Sequence, residues 1–178
     1  MKKIMLIALL FALSWQANAQ ISEIPDFKRN ELKLDVIYIL FSTVKVEYEH
    51  WLNDWSSVGV VGFYNFGSGF LNGGEPLWRS KVLGTYRLYF NKNPMQGFFL
   101  EGTAGIISGS TVDNWLGGTP KRYTAFGAGV AIGWKWFIPQ SGVTLDLTYG
   151  LGRMFVDSSN EDVVPIYLRV GATVGKRF

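Results

Sequence analysis

The chain has 178 residues, with 17 basic and 14 acidic side chains, 48% hydrophobic and 16% aromatic residues, 21 glycines and no cysteine. That length suits one domain, and a charge content of 17% beside so many rings and glycines excludes both a disordered tail and a highly charged soluble helical bundle. Without cysteine there is no disulfide scaffold, no Cys zinc site, no thiol nucleophile and no lipid-modified N-terminal Cys.

At the start of the chain, Lys2 and Lys3 precede an apolar run from Ile4 to Trp15, and Ala17-Asn18-Ala19 offers the small-x-small site of a signal peptidase. Residues 1–19 are therefore expected to be a secretory signal peptide cut before Gln20, since the run is shorter than the ~20 apolar residues of a spanning helix. Its loss leaves 15 basic against 14 acidic residues, so the basic balance belongs largely to the signal and nucleic-acid binding is not expected. Residues 20–30 read as a periplasmic N-terminal segment, and 31–178 as one barrel.

From there on, apolar residues alternate with polar or small ones, the period a strand sorts onto two faces. The alternation predicts strands at roughly 31–40, 43–52, 57–66, 79–90, 97–107, 125–136, 143–152 and 164–175. In the last of these, Val164, Ile166, Leu168, Val170, Ala172 and Val174 interleave with Pro165, Tyr167, Arg169, Gly171, Thr173 and Gly175. The longest uncharged stretch, Trp55 to Gly74, holds six glycines and makes no membrane helix. Connections after the second, fourth and sixth strands are compact (Asn53-Asp54, Asn91 to Gln96, Ile138 to Gly142). The others are longer and rich in Gly, Ser, Asn and Asp, except the short Phe41-Ser42-Thr43. Short turns on one side and long loops on the other mark outer-membrane barrels. The expected fold is all-β: an eight-stranded antiparallel up-and-down transmembrane β-barrel.

Alternation alone does not say which face is inside, but side-chain size does. The polar face carries Gly59, Gly105, Gly127, Gly129, Gly133, Gly150, Gly171 and Gly175, whereas the apolar face is bulky. In a narrow barrel the crowded side is the interior, so small and charged residues line the lumen and large apolar ones face lipid. In this frame Lys33, Asp35, Lys45, Glu47, Glu49, Lys81, Arg87, Glu101, Lys135, Asp146 and Arg169 all point inward. Aromatic rings would form two headgroup-level belts: Trp51, Trp55, Phe90, Phe98, Trp134, Trp136 and Phe178 at the periplasmic ends, and Tyr38, Tyr64, Phe66, Trp78, Tyr123 and Tyr149 toward the other boundary.

The segment NELKLDVIYILFSTVKVEYEHWLNDWSSVGVVGFYNF, with Tyr48, Glu49, Leu52 and Asn53 at its turn, resembles the opening two hairpins of small Bacteroidetes-type outer-membrane barrels of unknown function. More distantly, the mature chain resembles the OmpX and OmpA-transmembrane-domain barrels. The final Phe178 is similar to the C-terminal aromatic that the barrel-assembly machinery reads in such proteins, although Lys176 stands where they usually have a hydrophobic residue. The resemblance implies the fold and an outer-membrane location in a Gram-negative bacterium, and no activity.

Chemical motifs are sparse. His50 is the sole histidine, expected outward at the periplasmic end of the second strand, so neither a metal site nor a His-based hydrolase is expected. GAGVAIG at 127–133 is one residue off a dinucleotide fingerprint and lies within a strand, where glycines make room in a narrow lumen. The inner charges read as a paired network plugging the lumen, since unpaired ones would each cost several kcal/mol; the other reading makes Glu47, Glu49 and Glu101 an acid/base set or a proton path. No cofactor and no enzymatic activity are expected. The expected role is structural, or contact of the loops with a partner protein or lipopolysaccharide through Phe70, Leu71, Trp115 and Leu116. A narrow pore and a lipid-modifying enzyme are the alternatives.

Overall fold

The computed structural model describes residues 28–67, 78–91, 95–110, 122–155 and 165–178. Eight antiparallel strands close into a barrel in chain order: β1 (Asn30–Asp35), β2 (Thr43–Asn53), β3 (Ser56–Asn65), β4 (Ser80–Tyr89), β5 (Gly97–Ser110), β6 (Arg122–Ile138), β7 (Val143–Phe155) and β8 (Ile166–Arg177). β1 completes the circle against β8, where Asn30 and Phe178 exchange both main-chain hydrogen bonds (3.2 and 2.8 Å). Closure pairs strand edges that would otherwise template association. The up-and-down antiparallel barrel read from the alternation is the fold observed.

The connections β2–β3, β4–β5 and β6–β7 lie at one end, the turn end, together with Asn30 and Phe178; the other connections lie at the loop end. Gly142 shows why the turns are short. Its φ of +66° lets the chain reverse directly after β6, with its N–H donating to Ile138 O at 2.9 Å.

The first strand is shorter than its alternation region. β1 stops at Asp35, and Val36–Ile39 form a single helical turn, α1. Asp35 is the reason: its Oδ1 accepts from the backbone N–H groups of Ile37 (3.0 Å) and Tyr38 (3.3 Å), the bonding of an N-cap. Nothing opposes this locally, because Val36-Ile37-Tyr38-Ile39-Leu40-Phe41 is apolar at every position and carries no period-two signal.

This early stop leaves a notch in the wall. β1 pairs with β8 only from Glu31–Arg177 to Asp35–Thr173, so Ile166 to Ala172 of β8 have a strand neighbour on the β7 side alone. On the other flank β2 continues to Thr43, beyond its last pairing with β1 at Val46–Leu34. α1 sits in this space and touches both β2 and β8.

Faces sort cleanly. Outside, apolar residues such as Val60, Val82, Val130, Leu147, Leu151 and Phe155 are each more than half exposed. Inside, Val61, Leu83, Ile107, Tyr123, Ala125, Met154 and Tyr167 form an apolar cluster toward the loop end, with Trp78 packed on it. Trp51, Tyr89, Met95 and Phe99 form a second cluster toward the turn end. Glycines admit these rings: a Cβ on Gly152 or Gly127 would strike Tyr167, and one on Gly133 would strike Phe99.

Residues 1–19, the greater part of 20–30, and the loop residues Phe70, Leu71, Trp115 and Leu116 lie outside the described residues.

Candidate functional site

Period two places every second residue of each strand in the lumen, and between the two apolar clusters these residues are charged. Lys33 and Asp35 come from β1, Lys45, Glu47 and Glu49 from β2, Lys81 and Arg87 from β4, Glu101 from β5, Lys135 from β6, Asp146 from β7 and Arg169 from β8; all eleven are buried. Glu31 and Arg177 join them from the turn end. Both were legible as one more step of the same frame, Glu31 before Lys33 and Arg177 after Gly175.

The network is dense at its centre. Arg87 reaches four carboxylates: Nε to Glu101 Oε2 (2.6 Å), Nη1 to Glu49 Oε2 (3.0 Å) and Asp146 Oδ2 (2.7 Å), and Nη2 to Glu47 Oε2 (3.1 Å). Glu49 accepts in turn from Lys33, Arg87 and Lys135 on Oε2, and from Ser57 and Tyr89 on Oε1. Toward the loop end, Arg169 holds Glu101 (2.8 Å) and Glu47 (2.9 Å), and Lys45 holds Asp35 (2.8 Å) and Glu47 (3.1 Å). Toward the turn end, Glu31 receives Lys135 (3.1 Å), Arg177 (3.3 Å) and the Thr144 hydroxyl (2.7 Å). Each carboxylate thus meets at least one cation and most meet several, the condition under which buried charge is tolerable.

Lys81 stands apart. Among the described residues it is the buried cation with no carboxylate within ion-pair distance. Its Nζ lies over the rings of Trp78 (4.0 Å) and Phe63 (4.8 Å) and approaches Leu168 O at 3.5 Å. Ring faces stabilise a cation without neutralising it. Among the described residues the buried side chains number seven cations against six carboxylates, and Lys81 is the cation left without an ion pair.

Two aromatic residues assigned to the belts are buried in the interior instead, and Trp78, assigned to the loop-side belt, is part-buried against the loop-end cluster. Trp51 is fully buried, its ring tilted at 37° against Tyr89 with centroids 4.5 Å apart, and it lies beneath Lys135 and Arg177 at 4.8 and 5.2 Å. Tyr123 is buried in the loop-end cluster. Strand parity decides their orientation, and the preference of rings for an interface is the weaker term. Tyr38 is also drawn inward, edge-on to Phe63 at 5.3 Å and 5.2 Å from Lys45 Nζ, because α1 hooks it over the barrel mouth. Trp55, Phe90, Phe98, Trp134, Trp136, Tyr64, Phe66, Tyr149 and Phe178 are exposed on the outer face.

What this arrangement can do chemically is limited by its pairing. Glu47, Glu49 and Glu101 are each held by arginine, and none has a free partner resembling an acid/base couple. Glu31, Glu49 and Asp146 present oxygens within 4.8 Å of one another, but Lys33 and Lys135 already place ammonium groups among them, so a cation would have to displace both. His50 lies outside this network, its Nδ1 2.9 Å from Asn30 Oδ1 across the β1–β2 ladder. The glycines of 127–133 sit inside β6 against Tyr167 and Phe99. Among the described residues four buried side-chain atoms have no hydrogen-bond partner: the indole Nε1 of Trp51 and of Trp78 and, on cross-strand neighbours, Asp146 Oδ1 and Thr173 Oγ1.

No protein-family model matches the chain, and comparison with curated proteins and with solved structures returns no match.

Proposed function

We propose that this chain is an outer-membrane barrel whose lumen is plugged by ion pairs and whose work is done at its surface, as a structural element or through loop contact with a partner protein or lipopolysaccharide. One observation carries the reading: polarity is inverted relative to a water-soluble barrel. Among the described residues, 36 large hydrophobic side chains are exposed while only 13 hydrophobic residues are buried, and the buried set includes thirteen charged side chains. In water such a surface would aggregate, whereas in a bilayer it is the solvated face. The exposed rings Trp55, Phe90, Phe98, Trp134, Trp136 and Phe178 toward the turn end, and Tyr64 and Phe66 toward the loop end, suit two headgroup boundaries.

The resemblance of the strand pattern to small outer-membrane barrels supports export and insertion by the barrel-assembly machinery. Interior filling favours a closed lumen over a pore, because Arg87 and Trp51 occupy the axis that an ion would need. Carboxylates already committed to arginine speak against an enzyme.

The test is fractionation of cells expressing the whole chain. The mature product should enter the detergent-soluble outer-membrane fraction, resist urea washing of the membranes, and run faster on gels unboiled than boiled. Recovery in the aqueous periplasmic fraction would overturn the proposal.

A further inference from the structure

Arg153 breaks the inward sorting of charge. It lies on β7 in step with Leu147, Tyr149, Leu151 and Phe155, so its side chain faces outward, and it is exposed. The other outward lysine and arginine of the strands stand at strand ends. Lys176 is next to last in β8 and donates to Ser141 O in the β6–β7 turn, and Arg122 opens β6 at the loop end.

Arg153 has apolar neighbours on every side. Across the ladder it faces Ala128 on β6 and Ile166 on β8, and Leu151 and Phe155 are the next outward residues of its own strand. Nearer the loop end, Phe155 stacks on Phe126 with ring centroids 6.2 Å apart. Phe126 and Phe155 are each more than half exposed, so the apolar wall continues past Arg153, which lies within the band and not at its rim.

No protein group answers this charge. The guanidinium makes no hydrogen bond and no ion pair among the described residues. The described carboxylates are the six buried in the lumen and Asp54, in the β2–β3 turn at the opposite end, so the outer wall offers none. A cation on a lipid-facing wall is costly unless its head reaches polar groups. Arginine can lay its stem along apolar surface and carry the head toward the nearer boundary, here the loop side. In a bilayer the anionic groups at that boundary are lipid phosphates, which a guanidinium binds in bidentate fashion.

We propose that Arg153 is a docking point for the phosphate of an anionic lipid in the leaflet at the loop end, with an acyl chain lying over Ala128, Val130 and Leu151. The small side chain of Ala128 leaves room beside the arginine stem, and Val130 and Leu151, both more than half exposed, continue the contact toward the midplane. A zwitterionic lipid carries its own cation beside the phosphate and gains less from the same contact, so the site discriminates by net charge. This inference rests on the barrel lying in a membrane, and it adds a lipid class and a position on the wall, apart from the loops.

Native mass spectrometry of the full chain, released from phosphatidylcholine vesicles with and without phosphatidylglycerol, tests it. The wild type should retain phosphatidylglycerol in preference to phosphatidylcholine. Arg153→Leu should weaken that retention roughly tenfold, whereas Arg122→Gln, which removes an outward cation at the strand end, should leave it unchanged. Equal retention by wild type and Arg153→Leu, or an equal loss in Arg122→Gln, would overturn the site, the second because diffuse surface charge then suffices. Free inorganic phosphate is the other source of the same chemistry: if it binds the detergent-held protein through Arg153 while no lipid is retained, the lipid assignment is wrong. A dimer that disappears in Arg153→Leu, with no lipid selected, would assign the guanidinium to a contact between copies instead. Flotation of the vesicles separates this proposal from the one it rests on. A wild type that does not float refutes the membrane reading, whereas one that floats without selecting phosphatidylglycerol refutes the Arg153 site alone. Arg153→Leu carries the side chain type of its neighbours on the same face, so it should float at least as well as the wild type.

Discussion

Arg87 Nη1 lies 3.0 Å from Glu49 Oε2, joining β4 to β2 over the intervening strand β3. Neither residue has a simple partner, since Arg87 touches four carboxylates and Glu49 takes five donors. The pair therefore holds the centre of the ion-pair network, and removing one member strands several charges at once.

Glu49→Gln and Arg87→Met should each destabilise the barrel by roughly 3–5 kcal/mol, because each leaves buried charge uncompensated. The double variant should cost clearly less than the two single costs together, since the residual charge then cancels. Urea unfolding of the vesicle-inserted protein, followed by tryptophan fluorescence, gives all three values. Strict additivity would show that the two residues do not share a network.

How far this network was readable without coordinates depended on parity. Wherever charges recur at every second residue, as at Lys45, Glu47 and Glu49, the frame is unambiguous and the inward face follows. Trp51 continues that frame and is inside, although its type suggested a belt; its burial beneath Arg177 depends on a partner 126 positions away, and no local pattern encodes that. The end of β1 was unreadable for a different reason. From Val36 to Phe41 both faces are apolar, so alternation is silent, and the deciding contact is a single capping carboxylate, Asp35. The notch follows from that contact.

Glycine placement makes a second prediction. Gly152 lies opposite Tyr167, and a Cβ there would overlap the Tyr167 ring, whereas the Cβ position of Gly102 meets nothing within 4 Å. Gly152→Val should cost about 1–3 kcal/mol by overpacking, and Tyr167→Leu in the same chain should recover part of it. Gly102→Val, on the outer face, should be neutral or stabilising. The order of the three unfolding midpoints checks this, and a harmless Gly152→Val would mean that the lumen is looser than described.

The outer face predicts its own solvent. Val130, in the middle of β6, is 61% exposed. In a bilayer Val130→Arg should cost about 2–4 kcal/mol, the penalty of a guanidinium near the midplane. On a surface facing water the same change would be close to neutral. Folding efficiency into phosphatidylcholine vesicles separates these outcomes, and an unaffected variant would argue against lipid at this position.

Two threonines of like burial test whether polar satisfaction decides stability inside the lumen. Thr144 is 0% exposed and donates to Glu31 Oε1 at 2.7 Å, while Thr173 is 3% exposed and its hydroxyl has no partner. Valine keeps the branched shape of threonine and removes the hydroxyl, so packing changes little in either case. Thr144→Val deletes a hydrogen bond to a carboxylate and should cost about 1.5–3 kcal/mol. Thr173→Val removes a group that is desolvated without return, and should be neutral or slightly stabilising. Asp146 Oδ1, the orphan on the neighbouring strand, makes the comparison sharper: if that oxygen and Thr173 bond in solution through a shared bridge, Thr173→Val will cost as much as Thr144→Val. Equal losses in urea midpoint would therefore show that the two orphans are coupled, and a difference of about 1 kcal/mol or more would show that they are not.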